Sequence, residues 1–375
     1  MERHEFFVTC AHGVEPVLFQ EMKVLKFPKV ECQVGGVYFK GTMEHAWLAN
    51  LQLRTAIRVL RRLSRFEVTD ADDLYSGVRK VDWSPFLAGD GTFFVDAQTR
   101  ESALDHSQFI AQRTKDGIAD NFRKRERRRP SVAKDRADLR VHVHVWRDRC
   151  TLAVDTSGDS LHKRGWRTYQ GLAPMSETLA AAVLLLSQWD RKSPLIDPFC
   201  GSGTLLVEAA LLARNIAPGL FRSFGFQNWP EHRPYPYASF RKKIQDLGDL
   251  NKKLFLFGRD LEKKHITGAE ANAESAGLGD LFQLSVGDAL DFPFKKGWGA
   301  WVVSNLPYGH RVGEDKDLEK LHRDVGSKLR QEAAGYHLAL LTGERRFAHA
   351  MGFHDWQEHT LRNGSLQCSL LTLDL

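Results

Sequence analysis

The sequence predicts an α/β protein: a doubly wound, largely parallel sheet in the second half, preceded by small α+β modules. Three observations carry that expectation. From residue 175 onward, apolar β-leaning runs alternate with helical periods. Three of the apolar runs lead into an acid, at Asp197, Asp260 and Asp288. Before residue 156, short strands and helices interleave without that regular alternation. A chain of 375 residues has room for two or three domains.

The elements follow in order. Residues 5–10 (EFFVTC) read as a strand, and 14–25 as an amphipathic helix through Val14, Val17, Leu18, Met22 and Leu25. Residues 36–41 are a short strand between glycines. The apolar spacing of Trp47, Leu48, Leu51, Ile57, Leu60 and Leu63 predicts one long helix over 44–64. A strand near 92–97, a polar helix near 105–122 and alternating strands at 139–146 and 150–155 follow. Residues 156–174 hold three glycines, a proline, two aromatics and four basic side chains, and read as an ordered connector. Beyond it the pattern is helix 176–189, strand 194–197, helix 204–213, strand 253–258, helix 262–276 and strand 282–286. Strand 299–304, helix 316–333, strand 336–342 and a β pair near 355–361 and 366–374 complete it.

Composition excludes several classes. With 42% hydrophobic and 27% charged residues, the chain can build a large core and is not globally disordered. No apolar run reaches 18 residues, so no membrane partner is expected. Residues 1–5 lead directly into a strand-like run with no secretory h-region. Five scattered cysteines with no CxxC pair argue against a disulfide framework and a structural zinc, and point to a reducing cytoplasm. His142 and His144 share a strand face but lack a third ligand, so no metal is expected. The net charge is +6, yet residues 121–150 alone carry +7. Such a segment suggests a localised polyanion contact.

Four segments carry chemistry. Leu195–Thr204 (LIDPFCGSGT) is a strand, an acid and a tight G-S-G turn opening a helix. Small residues there let a ligand approach the backbone, and the helix start offers free N–H groups. Phe255–Asp260 (FLFGRD) ends in an acid suited to ribose hydroxyls. It lies 57 residues after Gly203, so an insertion rich in aromatics and prolines, 217–252, must intervene. Its Trp229, Tyr235, Tyr237 and Phe240 could line a substrate groove or cap the sheet. Val286–Ala289 is a third strand end with an acid. Val302–Gly309 (VVSNLPYG) presents an Asn, a rigid Pro and an aromatic, a set that can accept amine N–H bonds and stack on a base.

These residues carry a resemblance. Residues 175–375 resemble a class I S-adenosylmethionine-dependent methyltransferase with a Rossmann-like fold. DPFCGSGT resembles that family's cofactor loop, and NLPYG resembles the (N/D)PP(Y/F) motif of amine-directed nucleic-acid enzymes. SLHKRGWR (160–167), APMSETLAAAVLLL (173–186) and LRNGSLQCSLL (361–371) are similar to guanine-N2 methyltransferases of large-subunit (23S) ribosomal RNA that carry a THUMP domain. The resemblance implies a ferredoxin-like module at 1–64, a THUMP RNA-binding domain at 65–157, a connector at 158–174 and the methyltransferase domain at 175–375. It implies S-adenosylmethionine as cofactor, held by Pro174, Glu177, Thr178, Asp197, Pro198, Phe199, Gly201, Gly203, Thr204, Asp260, Asp288, Ala289 and Asn305. Asn305, Leu306, Pro307 and Tyr308 would position the target guanine, with Leu306 standing where many members have a first Pro.

A guanine amine is a poor nucleophile because its lone pair is delocalised into the ring. Asn305 Oδ1 and a carbonyl of Leu306 or Pro307 would bind its two N–H bonds and leave the lone pair free for the methyl group. The base must leave its stack to reach them. The basic segments suit RNA: Arg123, Lys124, Arg125, Arg127, Arg128 and Arg129 in one run, and Lys163, Arg164 and Arg167 around Trp166 in the connector. The rival expectations are a tRNA guanine-N2 enzyme, an adenine-N6 enzyme, and an RNA-binding assembly factor without catalysis.

Overall fold

The computed structural model describes residues 2–171, 174–308, 315–364 and 366–375. Part of the connector (Leu172, Ala173), Gly309 of NLPYG and Ser365 of the C-terminal run lie outside the described residues.

The first part builds one sheet. Its elements are β1 (His4–Thr9), α1 (Glu15–Val24), β2 (Glu31–Gln33), β3 (Gly36–Gly41), α2 (Met43–Gln52), β4 (Arg58–Glu67), α3 (Ala71–Arg79), β5 (Thr92–Arg100), α4 (Ser107–Glu126), β6 (Ser131–Val132), β7 (Leu139–Trp146) and β8 (Arg149–Asp155). The strand order is β2-β3-β1-β4-β8-β7-β5-β6. β4 is the joint, antiparallel to β1 on one side and to β8 on the other. The module boundary expected at 64/65 therefore falls inside a strand.

The single helix expected over 44–64 is α2 followed by β4. Leu53 turns extended at the end of α2. Arg61 and Arg62 then sit over aromatic faces, Arg61 on Phe86 and Arg62 on Phe7 and Tyr38. Charges placed on a strand this way imitate the polar face of a helix. The basic run is also not a free loop. α4 extends through Arg123, Lys124 and Arg125, and Arg127 ends it in a left-handed turn at φ 52°. Cations in a last turn face the negative end of the helix dipole.

The second part comprises α5 (Glu177–Leu186), β9 (Leu195–Asp197), α6 (Thr204–Ala213), α7 (Pro234–Gln245), β10 (Leu256–Asp260), α8 (Lys263–Ser275), β11 (Phe282–Val286), β12 (Trp301–Asn305), α9 (Asp315–Glu332), β13 (His337–Thr342), α10 (Arg345–Ala350), β14 (Gln357–Asn363) and β15 (Leu366–Asp374). The strand order is β11-β10-β9-β12-β13-β15-β14. β9 to β13 run parallel, and β15 runs antiparallel between β13 and β14. The winding reverses between β9 and β12, which places a switch-point crevice at their carboxyl ends. β9 and α6 are buried along their whole length. That is why LLVEAALLA is apolar apart from Glu208, which pairs with Arg164.

The insertion fastens the two parts together. The Trp47 ring lies 5.5 Å from Tyr237 and 5.8 Å from Phe240, and Phe86 lies 5.1 Å from Trp229. Arg61 pairs with Glu231 at 2.6 Å. Tyr235 alone of the four aromatics points to solvent. Among the described residues, no helix is long and apolar enough to cross a membrane, and no group of three His, Cys, Asp or Glu is placed to hold a metal.

Candidate active site

The site is built at the carboxyl ends of β9, β10, β11 and β12. After β9 the chain turns through Pro198–Gly203 into α6. Cys200 N donates to Arg259 O at 2.9 Å, and Gly201 N to the Asp260 carboxylate at 3.1 Å. The loop is thus stitched to the end of β10. Gly201 has φ +51° and Gly203 φ +73°. A Cβ on Gly203 would come within 3.0 Å of Ala269, whereas one on Gly201 would meet nothing within 4 Å. Gly203 is small for packing; Gly201 borders open space at the mouth of the crevice.

Three acids and an amide surround that space. Asp197 is 1% exposed and accepts from Ser304 Oγ at 2.6 Å. Burial pushes its carboxyl pKa up to about 7, although the bonds from Ser304 and the Phe199 amide oppose the shift. Asp260 accepts from the Glu262 amide and from His265 Nδ1, each at 2.9 Å. Asp288 accepts from the Leu290 amide at 2.9 Å. Both acids hold local turns while standing at the crevice. Asn305 ends β12, one residue after Ser304, and its Oδ1 is buried with no hydrogen-bond partner. A buried orphan acceptor carries a cost unless a ligand donor meets it. Leu306 is buried, its amide bonded to Leu341 O at 2.9 Å. With Pro198, Phe199 and Ala289 it lines a narrow apolar cleft.

The start of α5 is placed by the connector. Arg167 donates to Glu177 Oε1 at 2.7 Å, Thr204 Oγ1 at 3.0 Å, Met175 O at 3.1 Å and Ser202 Oγ at 3.3 Å. It ties the connector to α5 and to the cofactor-type loop. Thr178 is buried, and Pro174 faces the groove described next. Two positions escaped the sequence reading. Ser304 adjoins the motif and is signalled only by its inward place on β12. Asn272, buried in α8, accepts from the Thr168 and Tyr169 amides and donates to Tyr169 O and Ser202 O. No motif marks it.

A polar groove of about 1200 Å³ runs from this start of α5 between the two parts. Its walls include Arg136 and Arg140, the connector residues 157–159, 162–165 and 167, residues 221–225, and Asn363 with Gly364. Lys163 is exposed on its wall. Arg164 is not available there: it is 2% exposed, paired with Glu208 at 3.3 Å and bonded to Leu161 O and Arg54 O. Arg167 is committed to the four partners above, and Trp166 is fully buried. The expected connector contacts thus reduce to Lys163, because the other two cations serve buried acids and carbonyls. The run Arg123–Arg129 lies off the groove. Arg123, Arg125 and Arg128 pair with Asp120, Asp82 and Asp90, while Lys124, Arg127 and Arg129 are exposed.

Tyr308 stands differently from the expected free stacking face. Its hydroxyl accepts from Asn363 Nδ2 at 3.0 Å and lies 3.4 Å from Cys368 Sγ.

An open α/β crevice with acids at three strand ends, joined to a mixed N-terminal sheet, defines the class: a Rossmann-like methyltransferase domain behind ferredoxin-like and THUMP modules. Residues 164–372, more than half of the chain, match the RMKL-like methyltransferase domain, 68–155 the THUMP domain and 5–60 the RlmL ferredoxin-like domain. The chain belongs to the RMKL-like methyltransferase family. It is 39% identical over 99% of its length to the ribosomal RNA large subunit methyltransferase K/L of Syntrophotalea carbinolica, of which it covers 53%. The Methylococcus capsulatus protein of the same name is also 39% identical, with 51% covered. The chain thus spans about half the length of these curated relatives. Among solved structures, a predicted N6-adenine-specific DNA methylase from Listeria monocytogenes superposes with a TM-score of 0.89 at 30% identity, over 99% of this chain and 96% of that one. SMU.472, a candidate methyltransferase complexed with SAH, gives 0.90 at 29% identity, over 100% and 98%.

Proposed function

We propose that this chain transfers a methyl group from S-adenosylmethionine to the exocyclic N2 amine of a guanine in large-subunit ribosomal RNA. The observation that carries the reading is the orphaned, buried Asn305 Oδ1 at the switch point of a methyltransferase-type sheet. The names of the relatives support the ribosomal substrate, and the THUMP match supports RNA. The residues present fit the cofactor. Gly201 borders open space, the start of α6 offers free amides, and Asp260 and Asp288 keep oxygens at the crevice for hydroxyl and amine donors. When bound, the cofactor supplies an electrophilic methyl group on a sulfonium sulfur.

The chain's own residues do the rest. Asn305 Oδ1 and the carbonyl of Leu306 or Pro307 accept the two N–H bonds of the amine. Both acceptors are fixed before the base arrives: Asn305 by β12, the following carbonyls by Pro307 and the Leu306–Leu341 bond. Preorganised acceptors favour the charge that develops on the nitrogen. Glu177, Arg167 and Thr204 hold the entry side of the crevice, and the groove leads the RNA strand toward it. Its cations bind phosphates without reading sequence.

Asn305→Ala tests the reading. Turnover is expected to fall about 10²-fold or more, since one preorganised partner of the reacting group contributes that much. The cofactor dissociation constant, measured by calorimetry, is expected to change little. Lost cofactor affinity with normal turnover at saturation would overturn the role. Labelled cofactor offered with rRNA, tRNA and DNA in turn, followed by mass spectrometry of the nucleosides, reads the substrate. Methyl groups on DNA alone, on adenine, on tRNA alone or on no nucleic acid would each overturn the proposal.

A further inference from the structure

The run LRNGSLQCSLL has no part in the chemistry above, yet it reaches the site. Its described residues end β14 and begin β15, which is antiparallel to both β14 and β13. Asn363 ends β14, and Cys368 on β15 pairs in register with Leu361. Both side chains converge on one atom. Asn363 Nδ2 donates to the Tyr308 hydroxyl at 3.0 Å, and Cys368 Sγ lies 3.4 Å from the same oxygen. Burial raises the pKa of the Cys368 thiol and of the Tyr308 phenol, so both are neutral hydrogen-bonding groups at physiological pH. The ring has a fixed seat as well. A Cβ on Gly343, just after β13, would stand 2.4 Å from Tyr308 Cδ2 and 2.7 Å from Cγ. Only a glycine admits the ring there.

We propose that Asn363 and Cys368 are positioning residues, which act through the Tyr308 hydroxyl to fix the ring beside which the target base is held. The inference rests on the assignment of Asn305–Tyr308 to the target amine. A tyrosine needed only for its ring face requires no hydroxyl partner. Here two residues from a distant hairpin supply one and approach it again from the thiol side. The hairpin tip has a second contact with the substrate path: Asn363 and Gly364 line the groove. A strand seated in the groove therefore touches the element that orients Tyr308.

A double-mutant cycle of Tyr308→Phe and Asn363→Ala tests this, read as kcat and KM on an rRNA fragment. Each single change removes the same hydrogen bond and is expected to lower kcat about tenfold, with KM for RNA and cofactor nearly unchanged. The double variant is expected to match Tyr308→Phe, which already removes both contacts of the hydroxyl, because coupled partners are not additive. Cys368→Ala is expected to lower kcat, and Cys368→Ser, which keeps a donor, to restore most of it. Melting temperatures close to wild type separate positioning from folding. Multiplicative losses in the double variant, or an unchanged kcat in both singles, would overturn the inference while wild-type methylation left the proposed function standing. A wild-type chain that methylates no RNA would overturn both.

Discussion

Asp197 shows how one side chain can serve a site at the expense of the fold. It is sealed at the end of β9 with one hydroxyl and one amide as donors. Desolvation outweighs them and holds its pKa at about 7. The folded pKa lies above the unfolded one, so the fold favours the protonated form. That contribution is fully present below about pH 4, and it is lost as pH rises through about 7. Asp197→Asn removes the titration while keeping the shape. The ligand-free variant should therefore melt close to wild type near pH 4 and above it at pH 8. Three pKa units set a ceiling of about 4 kcal/mol on the difference. Melting curves at four pH values check it, and a gap that does not widen with pH would refute the assignment. A carboxylate kept there despite such a cost is what a cationic ligand would repay.

At the scale of elements, the turn between β9 and α6 makes the plainest claim. Gly201 needs its left-handed φ, and a side chain there would project into open space rather than into protein. Gly201→Ala should cost about 1 kcal/mol in stability. Its larger effect should be on cofactor affinity, as a methyl group enters the volume a ligand occupies. Calorimetric titration that found affinity unchanged would move the cofactor elsewhere. This turn, and the parallel strands around it, were legible because strand, acid and small residues occur together in a few consecutive positions. β4 was not legible. Arg61 and Arg62 stack on Phe86, Phe7 and Tyr38, and Arg58 and Arg61 pair with Asp155 and Glu231, all of them far away in sequence. α3, nine residues long with Asp70 as its cap, and α7, which begins with two prolines in its first turn, were also missed. Short helices have little period to detect, and proline at a helix start reads as a loop until the first turn is seen. The motifs stand out in the sequence, but the contacts of the residues around them do not. Ser304, Asn272, Asn363 and Cys368 act through contacts that only the fold creates.

Across the whole molecule, charge divides into two kinds that the sequence runs together. Lys124, Arg127, Arg129 and Lys163 are exposed to solvent, where phosphates can reach them. Arg54, Arg164 and Glu208 are buried where the N-terminal sheet, the connector and α6 meet. Arg164 donates to Glu208 and to the Arg54 carbonyl, and Arg54 donates to Leu211 O and Ile216 O. Burial pushes the Glu208 carboxyl pKa up even beside these cations. Arg164→Ala would leave that carboxylate enclosed with half its compensation gone. Breaking a buried pair from one side costs about 3–5 kcal/mol. The melting temperature should therefore fall sharply, while RNA affinity measured below the transition stays near wild type. Lys163→Ala should do the reverse. Its stability should hold, RNA binding should weaken, and the dependence of binding on salt should become shallower by roughly one counterion. Filter binding at several salt concentrations, beside thermal melts, reads both variants. If Arg164→Ala instead weakened RNA binding without lowering the melting temperature, the connector would be a polyanion contact in full.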